Sequence, residues 1–127
     1  MKKVPRIMVC VTRQKTCERL IKIGKKTALE VGADVFVVHV AKEGSNFLDN
    51  PHEGEALEYL FQISKNAGAD MTVLRSNNVV NTLAEFANKN MISTIILGES
   101  PYSHNNTNII RQLEHLLPTV EIRIVSA

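Results

Sequence analysis

The fold is decided by residues 32–40, GADVFVVHV, because this stretch ends one element and begins the next. Gly32 follows the last residue of a helical apolar pattern, at the position where a left-handed cap favours glycine. The residues from Val35 to Val40 form a continuous run rich in β-branched side chains, which is typical of a strand covered on both faces. The stretch therefore predicts a helix that turns directly into a buried strand of a parallel sheet.

The same switch between helical and strand patterns recurs on either side of this stretch. Apolar runs at residues 7–11 and 92–97 predict two further buried strands, and residues 71–74 predict a weaker one. The run from Val120 to Val125 alternates apolar and polar residues, which favours an edge strand.

Helical periodicity lies between the runs, at residues 16–31, 57–67, 80–87 and 109–117. The tripeptide Gly-Ala-Asp occurs at residues 32–34 and again at 68–70, so two helix-to-strand corners are predicted to share one geometry. The order β-α-β-α-β-α-β-α-β predicts an α/β fold, a doubly wound five-stranded parallel sheet with helices on both faces.

Composition narrows the class of protein. The 127 residues suit a single domain spanning 1–127, and the net charge of +2 does not favour nucleic acid as a partner. We expect no signal peptide and no membrane span, since every apolar run is short. Two cysteines, Cys10 and Cys17, suit neither a disulfide framework nor a metal site, so we expect a cytoplasmic protein.

Ligands of open parallel sheets bind beyond the carboxyl ends of the strands, where the strand order reverses. This rule points to the loop after the first strand, with Val11, Thr12, Arg13 and Lys15 as candidate binding residues. Both Arg13 and Lys15 suit phosphate, with solvated charges as the alternative. That alternative is preferred for Lys15 and for the basic stripe of the first helix opposite its apolar face, which comprises Lys15, Arg19, Lys22 and Lys26.

The rule also points to the loop after the fourth strand. Glycine at a strand end allows close approach of a ligand, and the hydroxyls and amides that follow lead into a helix N-terminus, which favours phosphate. Helix capping is the alternative explanation for these polar residues. The candidate binding residues here are Gly98, Glu99, Ser100, Ser103, Asn105, Asn106 and Thr107.

Other polar residues give weaker signals. His39, near the end of a strand, is interpreted as a hydrogen-bonded, half-buried histidine, with a ligand-contacting role for His39 and Val40 as the alternative. Cys10 is predicted in the core, and Cys17 is predicted to pack there rather than to react. No metal-ligand spacing, nucleophile elbow or phosphate-loop lysine occurs, so we expect no metal and no enzyme activity.

Four segments of the sequence resemble the universal stress protein domain, and in particular the version embedded in potassium-sensing histidine kinases of the Kdp type. They are residues 6–12 (RIMVCVT), residues 18–21 (ERLI), residues 32–40 and residues 95–100 (IILGES). The resemblance implies a fold related to the adenine nucleotide α-hydrolases, often dimeric through the last strand, here the run from Val120 to Val125.

The resemblance also implies an adenine nucleotide as ligand. ATP-binding members carry Gly-x2-Gly-x9-Gly-Ser/Thr. Here Gly98 matches the first glycine, whereas Pro101 and Arg111-Gln112 replace the rest. Members that bind cyclic di-AMP carry two motifs. One is a Ser-x-Ser pair, and Arg13 and Lys15 occupy its two serine positions here. The other is a Phe-Thr-Ala-x-Tyr stretch, whose first residue is matched by Phe36. ATP or AMP and cyclic di-AMP therefore both stay open.

Three functional hypotheses follow. The first is a nucleotide-binding module for signalling or stress response, in which Arg13, Gly98 and Ser100 hold phosphate. The second is a ligand-free module that dimerises through the edge strand. The third, a nucleotide hydrolase, has the least support because no catalytic residue set is recognisable.

Overall fold

Strands and helices alternate as the hydrophobic periods predict. The computed structural model describes residues 4–98 and 104–125, with the side chains at positions 14, 15, 49 and 104–108 outside that description. The elements are β1 (Arg6–Cys10), α1 (Gln14–Val31), β2 (Asp34–Ala41), α2 (Glu53–Asn66), β3 (Asp70–Arg75), α3 (Val79–Lys89), β4 (Thr94–Gly98), α4 (His104–Leu116) and β5 (Glu121–Val125).

The five strands form one sheet in the order β3-β2-β1-β4-β5, and every neighbouring pair is parallel. The chain runs outward from β1 through β2 to β3, returns across β1 to β4, and ends at β5. The predicted doubly wound parallel sheet is therefore confirmed, with β5 at one edge and the strand order reversing between β1 and β4.

Both faces of the sheet are covered, which explains the continuous apolar runs. Along β1, Ile7 and Val9 pack into a cluster with α1 and α2, whereas Met8 and Cys10 pack into a second cluster with α3 and α4. Successive side chains of a strand point to opposite faces, so in a strand covered on both sides every position faces one of the two apolar clusters.

The helix α1 lies so close to β1 that one of its positions has no room for a side chain. A Cβ atom built on Gly24 would stand 2.5 Å from Cγ2 of Val9. A Val side chain in a packed core cannot move far, so glycine here permits the close approach of helix and sheet.

Helices return to strands at what we call the amino edge of the sheet, where the strands begin. Gly32 and Gly68 adopt positive φ of 70° and 69°, as the repeated tripeptide predicts. A third corner, after α3, has the same conformation at Met91, with φ of 54°. Methionine has a Cβ that disfavours this region, so no sequence signal marks that corner.

Several observed boundaries and exposures differ from the predicted ones. The strand β4 begins at Thr94 rather than at position 92, because Ile92 is buried in the corner that follows α3. The helical pattern places Val31, Phe61 and Leu116 on apolar faces, yet they are 55%, 47% and 42% exposed. Buried residues stand next to two of them in sequence, Leu60 beside Phe61 and Leu117 beside Leu116, so each of these two lies at the margin of a buried face, and periodicity alone does not fix where that face ends.

Candidate functional site

The strand order places the ends of β1 and β4, from which the two predicted loops start, side by side at the carboxyl edge, the edge where the strands end. In the register of β1 and β4, Cys10 lies beside Leu97, so Val11 and Gly98 are neighbours at the point where the strand order reverses. Val11 is also tied to the other side, since its amide donates to the carbonyl of Val38 over 3.0 Å. The two strand ends on which the predicted site depends are therefore neighbours.

After Val11, the chain enters α1 at an exposed, basic turn. Thr12 and Arg13 are exposed, and Arg13 is the N-cap residue, whose side chain makes no capping hydrogen bond. The first turn of α1 contains no acidic residue, so no carboxylate of its own opposes the positive end of the helix dipole. This turn has the electrostatic character that favours an anion.

Gly98 has a structural role besides the one expected. A Cβ at this position would stand 3.2 Å from Cδ1 of Leu20, a buried residue of α1. Close packing of α1 against the end of β4 therefore accounts for a glycine here, whether or not a ligand also approaches.

The remaining predicted residues of the second loop, or their side chains, lie outside the described part of the chain. Glu99, Ser100 and Ser103 lie outside the described residues, as does Pro101. Asn105, Asn106 and Thr107 fall in the first turn of α4, but their side chains, like that of Lys15, are outside the description. Their contact with a ligand stays a prediction.

His39 is more deeply buried than expected, at 3% exposure. Its Nδ1 lies 2.7 Å from the carbonyl oxygen of Val11, and its Nε2 accepts a hydrogen bond from the amide of Leu48 over 3.0 Å. Because a carbonyl can only accept, Nδ1 carries a proton, and because Nε2 accepts, it carries none, so the ring is neutral. The low exposure corrects the half-buried interpretation. Since both nitrogens are hydrogen-bonded, neither is left for a ligand in this conformation. Val40 is partly buried and pairs with Leu74 of β3.

A cluster that sequence reasoning missed lies next to His39, in the β2–α2 loop (residues 42–52). Arg75, at the end of β3, donates to the carbonyls of Ser45 and Lys42 over 2.7 and 3.4 Å. It also forms an ion pair with Glu53 and lies 4.1 Å over the ring of Phe47. The sequence offers one indication of this cluster, which is that Arg75 ends a strand at the same edge of the sheet as the predicted site.

The two thiols are structural. Burial raises the pKa of Cys10 to about 12. Burial also raises the pKa of Cys17 to about 11, against the weaker effect of nearby backbone amides. Both side chains are buried in the core clusters, so the expected packing role of each is confirmed.

One further expectation concerns the surface of α1. The residues Arg19, Lys22 and Lys26 are exposed, as predicted for the basic stripe of α1, and Lys22 pairs with Glu18 at 3.2 Å. Over residues 4–98 and 104–125, no group of His, Cys, Asp or Glu is arranged to hold a metal ion. No helix in the same residues has the length and hydrophobicity needed to cross a bilayer.

A parallel sheet with helices on both faces, whose strand order reverses between β1 and β4, defines an α/β protein of the doubly wound class. Comparison with known proteins specifies the fold further. The universal stress protein of Archaeoglobus fulgidus in complex with dAMP aligns with a TM-score of 0.60 and 17% identity, over 99% of this chain and 98% of that one. A universal stress protein in complex with cAMP aligns with a TM-score of 0.65 and 15% identity, over 98% of both chains. The chain has the universal stress protein fold.

Sequence comparison agrees with this assignment. No protein-family model matches the chain. A protein named as sensor protein KdpD in Synechocystis sp. is 29% identical over 125 residues, which is 95% of this chain. The chain spans about a third of the length of that relative, 33%. The resemblance to universal stress proteins, including the version in Kdp-type sensors, is thereby confirmed.

Proposed function

We propose that the chain is a non-catalytic regulatory module that binds an adenine-type nucleotide at the switch point between β1 and β4. The observation that carries this proposal is the pairing of Cys10 with Leu97, which sets Val11 beside Gly98 at the N-terminus of α1. Such a junction, with helix amides and a positive dipole end, is the usual phosphate position in doubly wound sheets.

The solved structures of the same fold support the choice of ligand class. One is a complex with dAMP and another a complex with cAMP, and both ligands combine an adenine base with one phosphate group. At identities of 17% and 15% the likeness is one of fold, so the ligand is carried to this chain as a proposal.

Arg13 is proposed as the main phosphate contact. It is exposed at the N-cap of α1, where a guanidinium and the first-turn amides can reach the same anion. Ser100 and the first turn of α4 are proposed to complete the phosphate site from the other loop, as the sequence pattern predicts.

Isothermal titration with ATP, AMP and cyclic di-AMP tests the proposal directly, and a flat response to all three contradicts it. Substitution R13A should weaken the binding of whichever nucleotide responds by about tenfold, the value of one charge-assisted hydrogen bond. The control is R19A, which removes an exposed guanidinium from the basic stripe one and a half turns further along α1 and should leave affinity unchanged.

The absence of catalysis is part of the proposal and needs its own test. Incubation of the protein with ATP and Mg²⁺ should release no ADP above the background given by the protein-free buffer. Release of ADP that scales with protein concentration would support the hydrolase hypothesis instead.

The second candidate function, self-association through β5, is favoured by a different observation. The strand β5 pairs with β4 on one side and forms an edge of the sheet, with Ile124 41% exposed. Glu121 and Arg123 lie on one face of it, joined by a 2.7 Å ion pair. In an antiparallel pair of β5 strands centred on Ile122, each Glu121 would face the partner copy's Arg123, so the edge complements itself.

Sedimentation at several protein concentrations tests the dimer. The single reversal R123E places like charges opposite each other and should shift the equilibrium towards monomer. The double swap E121R/R123E restores opposite charges and should restore association. Equal masses for all three proteins contradict the pairing.

A signalling role in the cytoplasm is the remaining part of the proposal. The likeness to a stretch of a KdpD sensor protein supports the signalling role, and the low cysteine content, two in 127 residues, suits a reducing compartment. Fractionation of cells that produce the protein checks the compartment.

A further inference from the structure

His39 connects two segments of the carboxyl edge that are distant in sequence. Its Nδ1–H donates to the carbonyl of Val11, which ends the central strand region, and its Nε2 accepts from the amide of Leu48 in the β2–α2 loop. The second bond exists only while Nε2 keeps its lone pair. Protonation of the ring would place an N–H against an N–H at this 3.0 Å contact.

Leu48 depends on that bond more than an ordinary loop residue does. It has φ of 53° and ψ of 26°, a left-handed conformation that a branched side chain adopts at a cost, within the short 3₁₀ turn Phe47–Asp49. Its side chain is buried in the cluster formed with α1 and α2. The amide bond to His39 and the burial of the side chain together hold the backbone in this strained state.

The β2–α2 loop also has contacts to Arg75, to Glu53 and through the ring of Phe47. Arg75 binds the carbonyls of Lys42 and Ser45, and Glu53 accepts from the amide of Phe47 over 3.2 Å. The Phe47 ring packs edge-on to His39 at 5.9 Å between centroids. Of the contacts named here, the bond that Leu48 donates to His39 is the one made to a ring nitrogen of histidine, the side chain that gains a proton in the mildly acidic range.

The charges around His39 oppose protonation. From β3, Arg75 presents a positive charge, partly balanced by Glu53 at the start of α2. From β1 comes the Val11 carbonyl, and the 3₁₀ turn presents an aromatic ring and an amide. The thiol of Cys17 on α1, in the cluster that also holds Leu48, has a pKa raised by burial to about 11 and is neutral.

We propose that His39 is a proton-operated latch: the neutral ring holds the β2–α2 loop closed on the carboxyl edge, and the protonated ring releases it at Leu48. The bond to Val11 survives protonation, because Nδ1 is a donor in both states. Release is therefore confined to the loop side. The latch goes beyond the proposed nucleotide binding and does not depend on it.

The sign of the pH effect follows from the burial. Burial lowers the pKa of His39, against a smaller opposite effect of the Val11 carbonyl. The unfolded chain then takes up the proton at higher pH than the folded one. The contribution of His39 is complete above the ordinary histidine value of about 6.5 and declines as the pH falls below it.

Amide hydrogen exchange measured residue by residue tests the latch. The protection factor of the Leu48 amide, corrected for the intrinsic rate at each pH, should fall on the order of tenfold between about pH 8 and about pH 5. The amide of Val38, inside β2, is the internal control and should keep its protection. The ¹⁵N shifts of the His39 ring should report protonation of Nε2 over the same interval.

Two substitutions separate the latch from a general effect of acid. H39Q offers an amide oxygen at about the reach of Nε2 and cannot titrate, so its Leu48 protection should be independent of pH. H39N is too short to reach Leu48, so its Leu48 amide should be poorly protected at every pH.

Three results would overturn the proposal. The first is equal loss of protection at Leu48 and Val38, which means global opening. The second is the wild-type pH dependence persisting in H39Q, which assigns it to another group. The third is Leu48 protection that stays constant while the ring shifts show Nε2 protonated. None of these measurements involves a nucleotide, so their failure and that of the proposed ligand are distinguishable.

Discussion

The two edges of the sheet are closed by different kinds of contact. At the amino edge, three of the four helix-to-strand corners use the same backbone bond, from an amide to the carbonyl five residues earlier, over 2.9 Å in each. The pairs are Ala33 with Ala28, Ala69 with Ser64, and Ile92 with Ala87. These bonds need no side chain, although at the corner after α3 the Arg6 side chain adds a bond from Nη1 to the carbonyl of Asn90 over 2.8 Å.

At the carboxyl edge, side chains make the closing contacts. His39 holds Val11 and Leu48, Arg75 holds the β2–α2 loop, and Asn78 caps α3 by accepting from the amide of Asn81 over 3.2 Å. Backbone closure is insensitive to protons, salt and ligands, whereas side-chain closure responds to all three. The difference separates an edge that maintains the fold from an edge that can be regulated.

The strongest test of this comparison is H39F. Phenylalanine fills a similar volume but leaves the Val11 carbonyl and the Leu48 amide without their partner, each at a cost of 1–3 kcal/mol or so when buried. We expect the free energy of unfolding, measured with urea, to fall by about 3 kcal/mol. H39Q, which retains an acceptor for Leu48, should lose less. A fall below about 1 kcal/mol in H39F would mean that these groups reach water.

The next test concerns the backbone closure itself. Gly68 and Gly54 both have open space where a Cβ would stand, but only Gly68 has positive φ. G68A should therefore lower the free energy of unfolding by about 1 kcal/mol, whereas G54A, inside α2, should raise it by about 0.5 kcal/mol. Effects of the same sign in thermal unfolding would show that backbone conformation does not determine the corner.

Met91 allows the same principle to be tested in the stabilising direction. M91G removes the Cβ from a residue with φ of 54° and should raise the free energy of unfolding by about 1 kcal/mol. M91A keeps the Cβ and is the matched control, with no gain expected. If both variants gain equally, loss of the exposed methionine side chain, and not the backbone, is responsible.

The smallest global effect is expected for R75M. An ion pair that is about a third exposed, 34% and 36% for its two side chains, contributes roughly 0.5 kcal/mol. The local effect should be larger, because the carbonyls of Ser45 and Lys42 lose their donor, and limited proteolysis within residues 42–52 should accelerate. R123M breaks the ion pair on β5 and should leave that cleavage unchanged. Equal acceleration in both variants would contradict a local role for Arg75.

The amino edge could largely be predicted from the sequence. Glycine marks a left-handed corner because it lacks a Cβ, and the repeated Gly-Ala-Asp therefore predicts two of the four helix-to-strand corners correctly. The third corner escaped prediction because Met91 has no such preference and is held there by the elements around it.

The carboxyl edge could be located but not described. The rule for open sheets identified the ends of β1 and β4, and their register confirms that they meet. The contacts of His39 and Arg75 join residues 9 to 33 positions apart, and no local pattern encodes such pairs. The hydrogen bonds to both nitrogens of His39 could not be predicted either, because hydrophobic periodicity indicates which face of a strand is buried and not which groups bond to one another.

The central position of β1 has a consequence for synthesis on the ribosome. Residues 6–10 are translated before the other four strands but need two neighbours, and the second, β4, is translated only after position 93. Until then β1, β2 and β3 can assemble with one long side of β1 open, offering unpaired amides and carbonyls and bare apolar side chains. A nascent chain stalled before β4 is therefore expected to be the species most prone to aggregate and most in need of a chaperone.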